Sequence, residues 1–127
     1  MEMVKRTERG WAGHFICAER CLFRRNTLLE YLETKIVVST VGMMMDGDKF
    51  TTIGYNRYYE TMAFHAKLVE NKYWDADVSR QVDFDSPWSI DEPGADDKAN
   101  DMHDNVVFEI IAKLSDGEDV LKEDSDG

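Results

Sequence analysis

Three residues near the start of the chain have side chains that could hold a metal ion. His14, Cys17 and Cys21 are separated by two and by three residues, and imidazole and thiolate are side chains that bind zinc. A fourth ligand would have to come from His65 or His103. A structural zinc site normally has a second closely spaced pair of ligands, and the sequence has none. The pattern therefore favours two buried thiols over a metal site, and predicts no bound cofactor.

The two later histidines are also candidates for a general base. His65 and His103 lie beside apolar residues, and neither has a nearby nucleophile in a frame such as Gly-x-Ser-x-Gly. Arg24 and Arg25 form a basic pair that could hold an anionic ligand or pair with carboxylates of the same chain. A small enzyme or metal protein that uses these histidines, the cysteines and the arginine pair is therefore the alternative function.

The second half of the chain is strongly acidic. Residues 70–127 contain eighteen Asp or Glu and five Lys or Arg, whereas residues 1–69 contain eight and ten, so the net charge of −11 arises in the second half. A field of this sign repels nucleic acid and attracts basic protein surfaces. The composition therefore predicts a basic protein partner and no direct binding of nucleic acid.

One predicted strand carries much of this charge. Along residues 73–84 apolar side chains alternate with polar ones, so Asp75, Asp77 and Asp83 are expected on one face, and Asp85 extends the row. Carboxylates at alternate positions of a strand lie ~6.5 to 7 Å apart, comparable with successive phosphates of a nucleic-acid strand. A solvated strand face is the plainer interpretation. With the carboxylates that follow, the predicted partner-binding residues are Asp75, Asp77, Asp83, Asp85, Asp91, Glu92, Asp96 and Asp97.

A sheet and a helix must position these side chains. Apolar residues of period two predict antiparallel strands along most of the first 84 residues. A strand over residues 35–45 is rich in β-branched side chains, and the Asp46-Gly47-Asp48 sequence after it predicts a hairpin turn. For residues 14–25 a tight hairpin and a helix both fit the pattern.

After Pro93 the apolar period changes to three and four, which predicts an amphipathic helix. Asp96 or Asp97 is expected to cap its start, and Gly117 to end it. We therefore predict an α+β domain of two layers over residues 1–117: an antiparallel β-meander of about four to six strands covered by one C-terminal amphipathic helix. Residues 118–127 are predicted to be an acidic disordered tail. The expected apolar stripe of the helix comprises Ala99, Met102, Val106, Val107, Ile110, Ile111 and Leu114.

The chain has no predicted membrane segment. The charged residues 1–9 precede no apolar stretch, and no run approaches the ~18 apolar residues that a membrane span needs. Two cysteines are too few for a secreted disulfide scaffold. We expect a cytoplasmic protein without a membrane partner, and the sequence leaves its oligomeric state open.

Five segments carry a family resemblance that covers most of the chain. They are residues 9–31 (RGWAGHFICAERCLFRRNTLLEY), 35–43 (KIVVSTVGM), 59–65 (YETMAFH), 75–88 (DADVSRQVDFDSPW) and 99–103 (ANDMH). Together they resemble a family of small uncharacterised proteins encoded on bacterial phages, plasmids and integrative elements, for which no activity is known. The resemblance implies that the chain blocks a host protein. With the charge, it predicts a small acidic binding protein that covers a basic, nucleic-acid-binding surface of a host protein such as a defence nuclease.

Overall fold

In the residues that the structure describes, seven antiparallel strands form one sheet, and a single helix packs on one of its faces. This computed structural model describes residues 3–9, 20–53, 55 and 57–117. The arrangement confirms the predicted α+β architecture of a sheet covered by a C-terminal helix. The elements are β1 (Lys5–Glu8), β2 (Cys21–Tyr31), β3 (Thr34–Asp46), β4 (Lys49–Thr51), β5 (Tyr59–Val69), β6 (Tyr73–Val82), β7 (Ser89–Ile90) and α1 (Asp96–Ser115).

The sheet follows the chain as a meander. Its main order is β1-β2-β3-β5-β6, with β4 paired to β3 and β7 paired to β5, and every neighbouring pair is antiparallel. β1 lies in the charged N-terminal segment, where the apolar pattern predicts no strand. β4 and β7 are only three and two residues long. The sheet therefore has more strands than predicted, and the extra pairing is at its margins.

Two local predictions can be compared directly with the structure. The turn after β3 is confirmed, because Asp46 pairs with Lys49 across it and Gly47 has a φ of +68°. The helical alternative for residues 14–25 is wrong for residues 21–25, which belong to β2. The remainder of that prediction, with His14 and Cys17, lies outside the described residues.

The core lies between the sheet and α1. The predicted stripe of the helix is confirmed: its residues are buried except Ile111, which is half-buried, and His103 is buried with them. In β2 and β3 every second side chain points to the helix, as alternation along a strand requires. The main cluster contains Leu29, Ile36, Val38, Ala63 and Val82 of the sheet and Val106, Val107, Ile110 and Leu114 of the helix.

The opposite face of the sheet has a second, smaller cluster. Leu28, Val37 and Ala66 are buried there, with Trp74 and Ala76 of β6 packed against them. Arg9, which follows β1, donates to Asn26 Oδ1 at 2.9 Å and to the carbonyl oxygen of Trp74. The sheet is therefore curled enough for one side chain to join β2 and β6 across this face.

The start of α1 differs from the prediction. The N-cap residue is Ala95, and no side chain caps it, so capping by Asp96 or Asp97 is wrong. Both aspartates lie in the first turn, where the helix dipole favours negative charge. The Tyr59 hydroxyl donates to Asp96 at 2.6 Å. The other end agrees with the prediction: the helix stops at Ser115, and Gly117 follows it with a φ of +74°.

Gly42 allows Tyr59 to reach that position. A Cβ atom on Gly42 would lie 2.1 Å from Tyr59 Cδ2, which is too close for any side chain. Tyr59 is fully buried, and its ring packs edge to face against Phe23 at a centroid distance of 5.6 Å. The glycine therefore has a packing role that its isolated position in the sequence does not indicate.

No helix in the described residues is both long enough and apolar enough to cross a membrane. The predicted acidic tail, residues 118–127, lies outside the described part of the chain.

Candidate functional site

A shift in strand register breaks the predicted row of aspartates on β6. Ala76 pairs with Ala66 of β5, but Val82 pairs with Ala63, so β6 advances six residues while β5 advances three. Ala63 and Ala66 lie on opposite faces because their separation is odd, and their partners must do the same. Ala76 and Val82 are accordingly found in different clusters. The prediction that residues 73–84 keep one continuous polar face is wrong.

The first two aspartates of the predicted row, Asp75 and Asp77, are bound to their own strand. Asp77 accepts hydrogen bonds from the N–H and the hydroxyl of Ser79, at 3.1 and 2.6 Å. Asp75 is half-buried and accepts the N–H of Ala76 at 2.8 Å. A short acidic side chain that binds the backbone just after it favours a turn over a ladder. Asp77 therefore stabilises the irregular part of β6.

The next two predicted residues lie beyond the strand, because β6 ends at Val82. Asp83 and Asp85 are exposed in the loop that leads to β7. Glu109 of α1 holds this loop, accepting the N–H of Asp85 at 2.6 Å and the N–H and hydroxyl of Ser86 at 2.9 and 2.5 Å. Burial raises the pKa of Glu109, but these hydrogen bonds and that of Lys113 outweigh burial and lower it to about 2. The loop is therefore fixed to the helix.

The last four predicted partner-binding residues lie at or just before the start of α1. Glu92, Asp96 and Asp97 line an open depression of about 330 Å³ there, and the exposed Asp91 precedes it. Lys98, at its rim, donates to Glu92 at 2.8 Å. Lys98 is also the one Lys or Arg in residues 83–101, which we call the acidic segment. Its exposed carboxylates that form no ion pair with a described residue are Asp83, Asp85, Asp91, Asp96, Asp97 and Asp101.

A different group of carboxylates is fully paired. Arg25 contacts Glu8 at 3.2 Å and Asp104 at 2.9 Å, and Arg6 contacts the same two carboxylates at 3.2 and 3.0 Å. We call these four residues the paired-charge cluster. Arg25 was a candidate for holding an anionic ligand, and the structure occupies it with carboxylates of its own chain. Arg24 forms no ion pair with the residues that the structure describes.

The paired-charge cluster continues into a buried chain of hydrogen bonds. The Thr27 hydroxyl donates to Glu8 at 2.7 Å and lies 2.7 Å from His103 Nε2. On its other side, His103 Nδ1 lies 2.7 Å from the Thr40 hydroxyl, which lies 2.6 Å from that of Thr61. Because Thr27 gives its proton to the carboxylate, Nε2 of His103 must carry the proton of the ring. Thr40 then donates to Nδ1.

This geometry makes His103 a structural residue. The side chain has no exposed surface, and both ring nitrogens are engaged. Burial, together with the charge of Arg25, lowers the pKa of His103 to about 4. His65 and Cys21 are also buried, and the described residues contain no cluster of three or more potential metal ligands. Cys21, His65 and His103 are therefore each buried in the core and do not form one site.

The structure also has a cleft that sequence reasoning missed. It lies beside β5, between the end of β6 and the start of β7. There the Thr61 N–H donates to the Trp88 carbonyl at 2.8 Å. Its volume is about 500 Å³, within the range of small-molecule sites. Only Asp83 among its residues was predicted to be functional. The lining residues are Arg57, Glu60, Thr61, Met62, Gln81, Val82, Asp83, Phe84 and Trp88.

Comparison with known proteins adds no relative. No family model, curated protein or solved structure matches this chain. The functional argument therefore rests on the charges and the geometry of the molecule itself.

Proposed function

We propose that this protein is a small acidic binding protein, of phage or mobile-element origin, that blocks a basic, nucleic-acid-binding surface of a host protein such as a defence nuclease. The observation that carries the proposal is the outward charge of the acidic segment. Six of its carboxylates are exposed and form no ion pair with a described residue, and its single cation, Lys98, contacts Glu92. These exposed, unneutralised carboxylates are available to a basic partner.

Outside the acidic segment, several charged side chains are neutralised by residues of the same chain. Arg6 and Arg25 neutralise Glu8 and Asp104, Lys113 contacts Glu109, and Arg57 contacts Glu60. The surface of the acidic segment is itself almost wholly negative, because Lys98 is the one cation within it. This supports a basic partner and opposes direct contact with nucleic-acid phosphates.

The structure narrows the set of binding residues that we propose. Asp75 and Asp77 bind backbone or hydroxyl groups of their own strand, so their carboxylates are less available. Asp83 and Asp85 lie on a loop that Glu109 holds in place, and a fixed loop loses less conformational entropy on binding. We propose that the partner contacts Asp83, Asp85, Asp91, Glu92, Asp96 and Asp97 in the cytoplasm.

The test is capture from a bacterial lysate with competition by DNA. The immobilised protein is incubated with lysate at low salt, and the bound proteins are eluted first with duplex DNA and then with high salt, each fraction being identified by mass spectrometry. We expect basic nucleic-acid-handling proteins in the DNA fraction, because DNA and the acidic segment compete for the same surface. Recovery of the bound proteins only by salt, or recovery of proteins without nucleic-acid sites, contradicts the proposal.

A charge-reversed variant shows whether the acidic segment is responsible. Asp91→Lys with Asp101→Lys is suitable because both residues are exposed, whereas a lysine at Asp97 would oppose the helix dipole. The matched control is Glu33→Lys with Asp48→Lys, which makes the same change of net charge in exposed residues between β2 and β3 and between β3 and β4. We expect the first variant to lose the DNA-eluted proteins and the control to keep most of them. Equal loss in both would mean that net charge alone is responsible.

A further inference from the structure

We propose that the cleft beside β5 binds a small planar carboxylate, with Arg57 as the residue that recognises the anion. This proposal is independent of the function proposed above. It concerns a ligand of opposite charge to the expected protein partner, and it rests on the geometry of Arg57, Glu60 and Trp88.

The guanidinium of Arg57 is held in a defined orientation. Its Nε donates to Glu60 Oε1 at 3.2 Å, and its Cζ lies 5.2 Å from the centre of the Trp88 ring. Glu60 is only 8% exposed, so its carboxylate is a firmly placed anchor. An arginine that is stacked on an aromatic ring and bound through Nε has lost much of its freedom before any ligand arrives.

The terminal amino groups of Arg57 have no hydrogen-bond partner among the residues that the structure describes. A guanidinium has five N–H donors, and Nε uses one of them. No other hydrogen bond joins the Arg57 side chain to any residue within the described ranges. Arg57 lines the cleft, so the two Nη groups offer the paired N–H donors that bind a carboxylate in a bidentate manner.

The remaining walls favour a flat apolar body on the ligand. Phe84 and Met62 are half-buried and Val82 is buried, while Trp88 is 46% exposed at the rim. Apolar and aromatic walls with a few convergent polar groups are typical of small-molecule sites. Gln81 adds an amide that can donate to the same ligand.

Asp83 lies at the rim, where its negative charge opposes the binding of an anion. It can therefore be used to test whether the ligand is an anion or a cation. Its carboxylate is exposed and forms no ion pair with a described residue. Removing this charge by Asp83→Asn should tighten binding of a carboxylate, because a like charge near the ligand is lost. If the cleft instead received a cation, the same substitution would weaken binding.

The experiment compares three probes of nearly one shape. Benzoate, benzamide and benzamidine are titrated into the full chain, and the amide and indole NMR signals of the cleft residues are followed, with the Trp88 indole signal assigned from Trp88→Phe. We expect benzoate to shift the cleft signals at the lowest concentration. Arg57→Gln should weaken benzoate binding roughly ten- to a hundred-fold, as expected for loss of charged hydrogen bonds. The matched control, Arg20→Gln, changes an arginine outside the cleft and should leave binding unchanged.

The outcomes separate the proposal from its competitors. Tighter binding of benzoate by Asp83→Asn supports the proposal even if Arg57→Gln perturbs the fold. Preference for benzamidine would assign the cleft to cations, and equal affinity for benzoate and benzamide would make it an unselective apolar cleft. Either result, or no shift of the cleft signals by benzoate up to its solubility, overturns the proposal.

Discussion

The two groups of carboxylates in this molecule are used in opposite ways. In the paired-charge cluster Glu8 and Asp104 each contact two arginines, and Glu8 also accepts the Thr27 hydroxyl. Burial raises the pKa of Glu8, but the bonds from Arg25, Thr27 and Arg6 outweigh burial and lower it. In the acidic segment six exposed carboxylates form no ion pair with a described residue. The first group is part of the fold, and the second is free to act outside it.

Contact with the buried core explains the difference. A carboxylate that loses its water needs hydrogen bonds and an opposite charge, whereas an exposed one remains hydrated at little cost. The paired-charge cluster lies against the buried Thr27 and His103, so its charges must be satisfied locally. The acidic segment has no such requirement. We therefore expect substitutions in the cluster to change stability and substitutions in the segment to change binding.

The largest expected effect is a loss of stability in mild acid. The pKa of His103 is about 4 in the folded protein and about 6.5 in an unfolded chain, so the unfolded chain binds more protons between these values. The free energy of unfolding should therefore fall by about 3 kcal/mol as the pH is lowered from 6.5 to 4. Urea titrations across this range measure it. His103→Gln should be less stable at neutral pH and should lose this part of the pH dependence; an unchanged slope would contradict the buried network.

Removal of Arg25 is expected to have the next largest effect. Arg25→Ala leaves Glu8 and Asp104 with Arg6 alone, beside the buried Thr27. The free energy of unfolding should fall by about 2 kcal/mol, since the lost bonds are charged and partly buried. The matched variant is Arg20→Ala, whose exposed ion pair with Asp46 should contribute less than about 0.5 kcal/mol. Similar losses in the two variants would mean that the cluster has no special role.

A smaller effect is expected where α1 holds the loop of Asp83 and Asp85. Glu109→Ala removes the acceptor of three hydrogen bonds and should cost about 1 kcal/mol. Hydrogen exchange should become faster at the Asp85 and Ser86 amides while the core strands remain protected. If exchange at these amides is unchanged, Glu109 does not position the loop.

Much of the architecture could be predicted from the sequence because it depends on short-range patterns. The apolar period of three and four identifies α1, and Asp46-Gly47-Asp48 identifies a turn that needs a positive φ at Gly47. The prediction of one polar face along β6 is wrong because it assumes regular pairing, in which each residue of β6 has one partner on β5. The hydrogen bonds from Ser79 to Asp77, two residues away, are the local signal of the irregularity.

The cleft and the His103 network could not be predicted in the same way. The cleft combines residues from β5, from the end of β6 and from the loop before β7, which are brought together only by strand pairing. His103 is bonded to Thr27 and Thr40, 76 and 63 residues away in the chain. A polar residue inside an apolar helical stripe predicts a buried partner, but its identity depends on the register of β2 and β3.

The smallest expected effect on stability is in the acidic segment itself. Asp91→Asn with Asp101→Asn should change the free energy of unfolding by less than about 0.5 kcal/mol, because neither carboxylate forms an ion pair with a described residue. The melting temperature should also become less dependent on salt, since there is less self-repulsion to screen. A loss above about 1 kcal/mol would contradict the distinction drawn between the two groups.

The central claim is that the acidic segment contacts the partner and the paired-charge cluster does not. The most direct measurement is NMR mapping of the backbone amides during titration with a basic protein recovered by DNA elution. The account predicts that the largest shifts fall within residues 83–101 and disappear in Asp91→Lys with Asp101→Lys, while amides of β1, β2 and β4 change little. Largest shifts at β1 and β2, or shifts that survive the charge reversal, would contradict it.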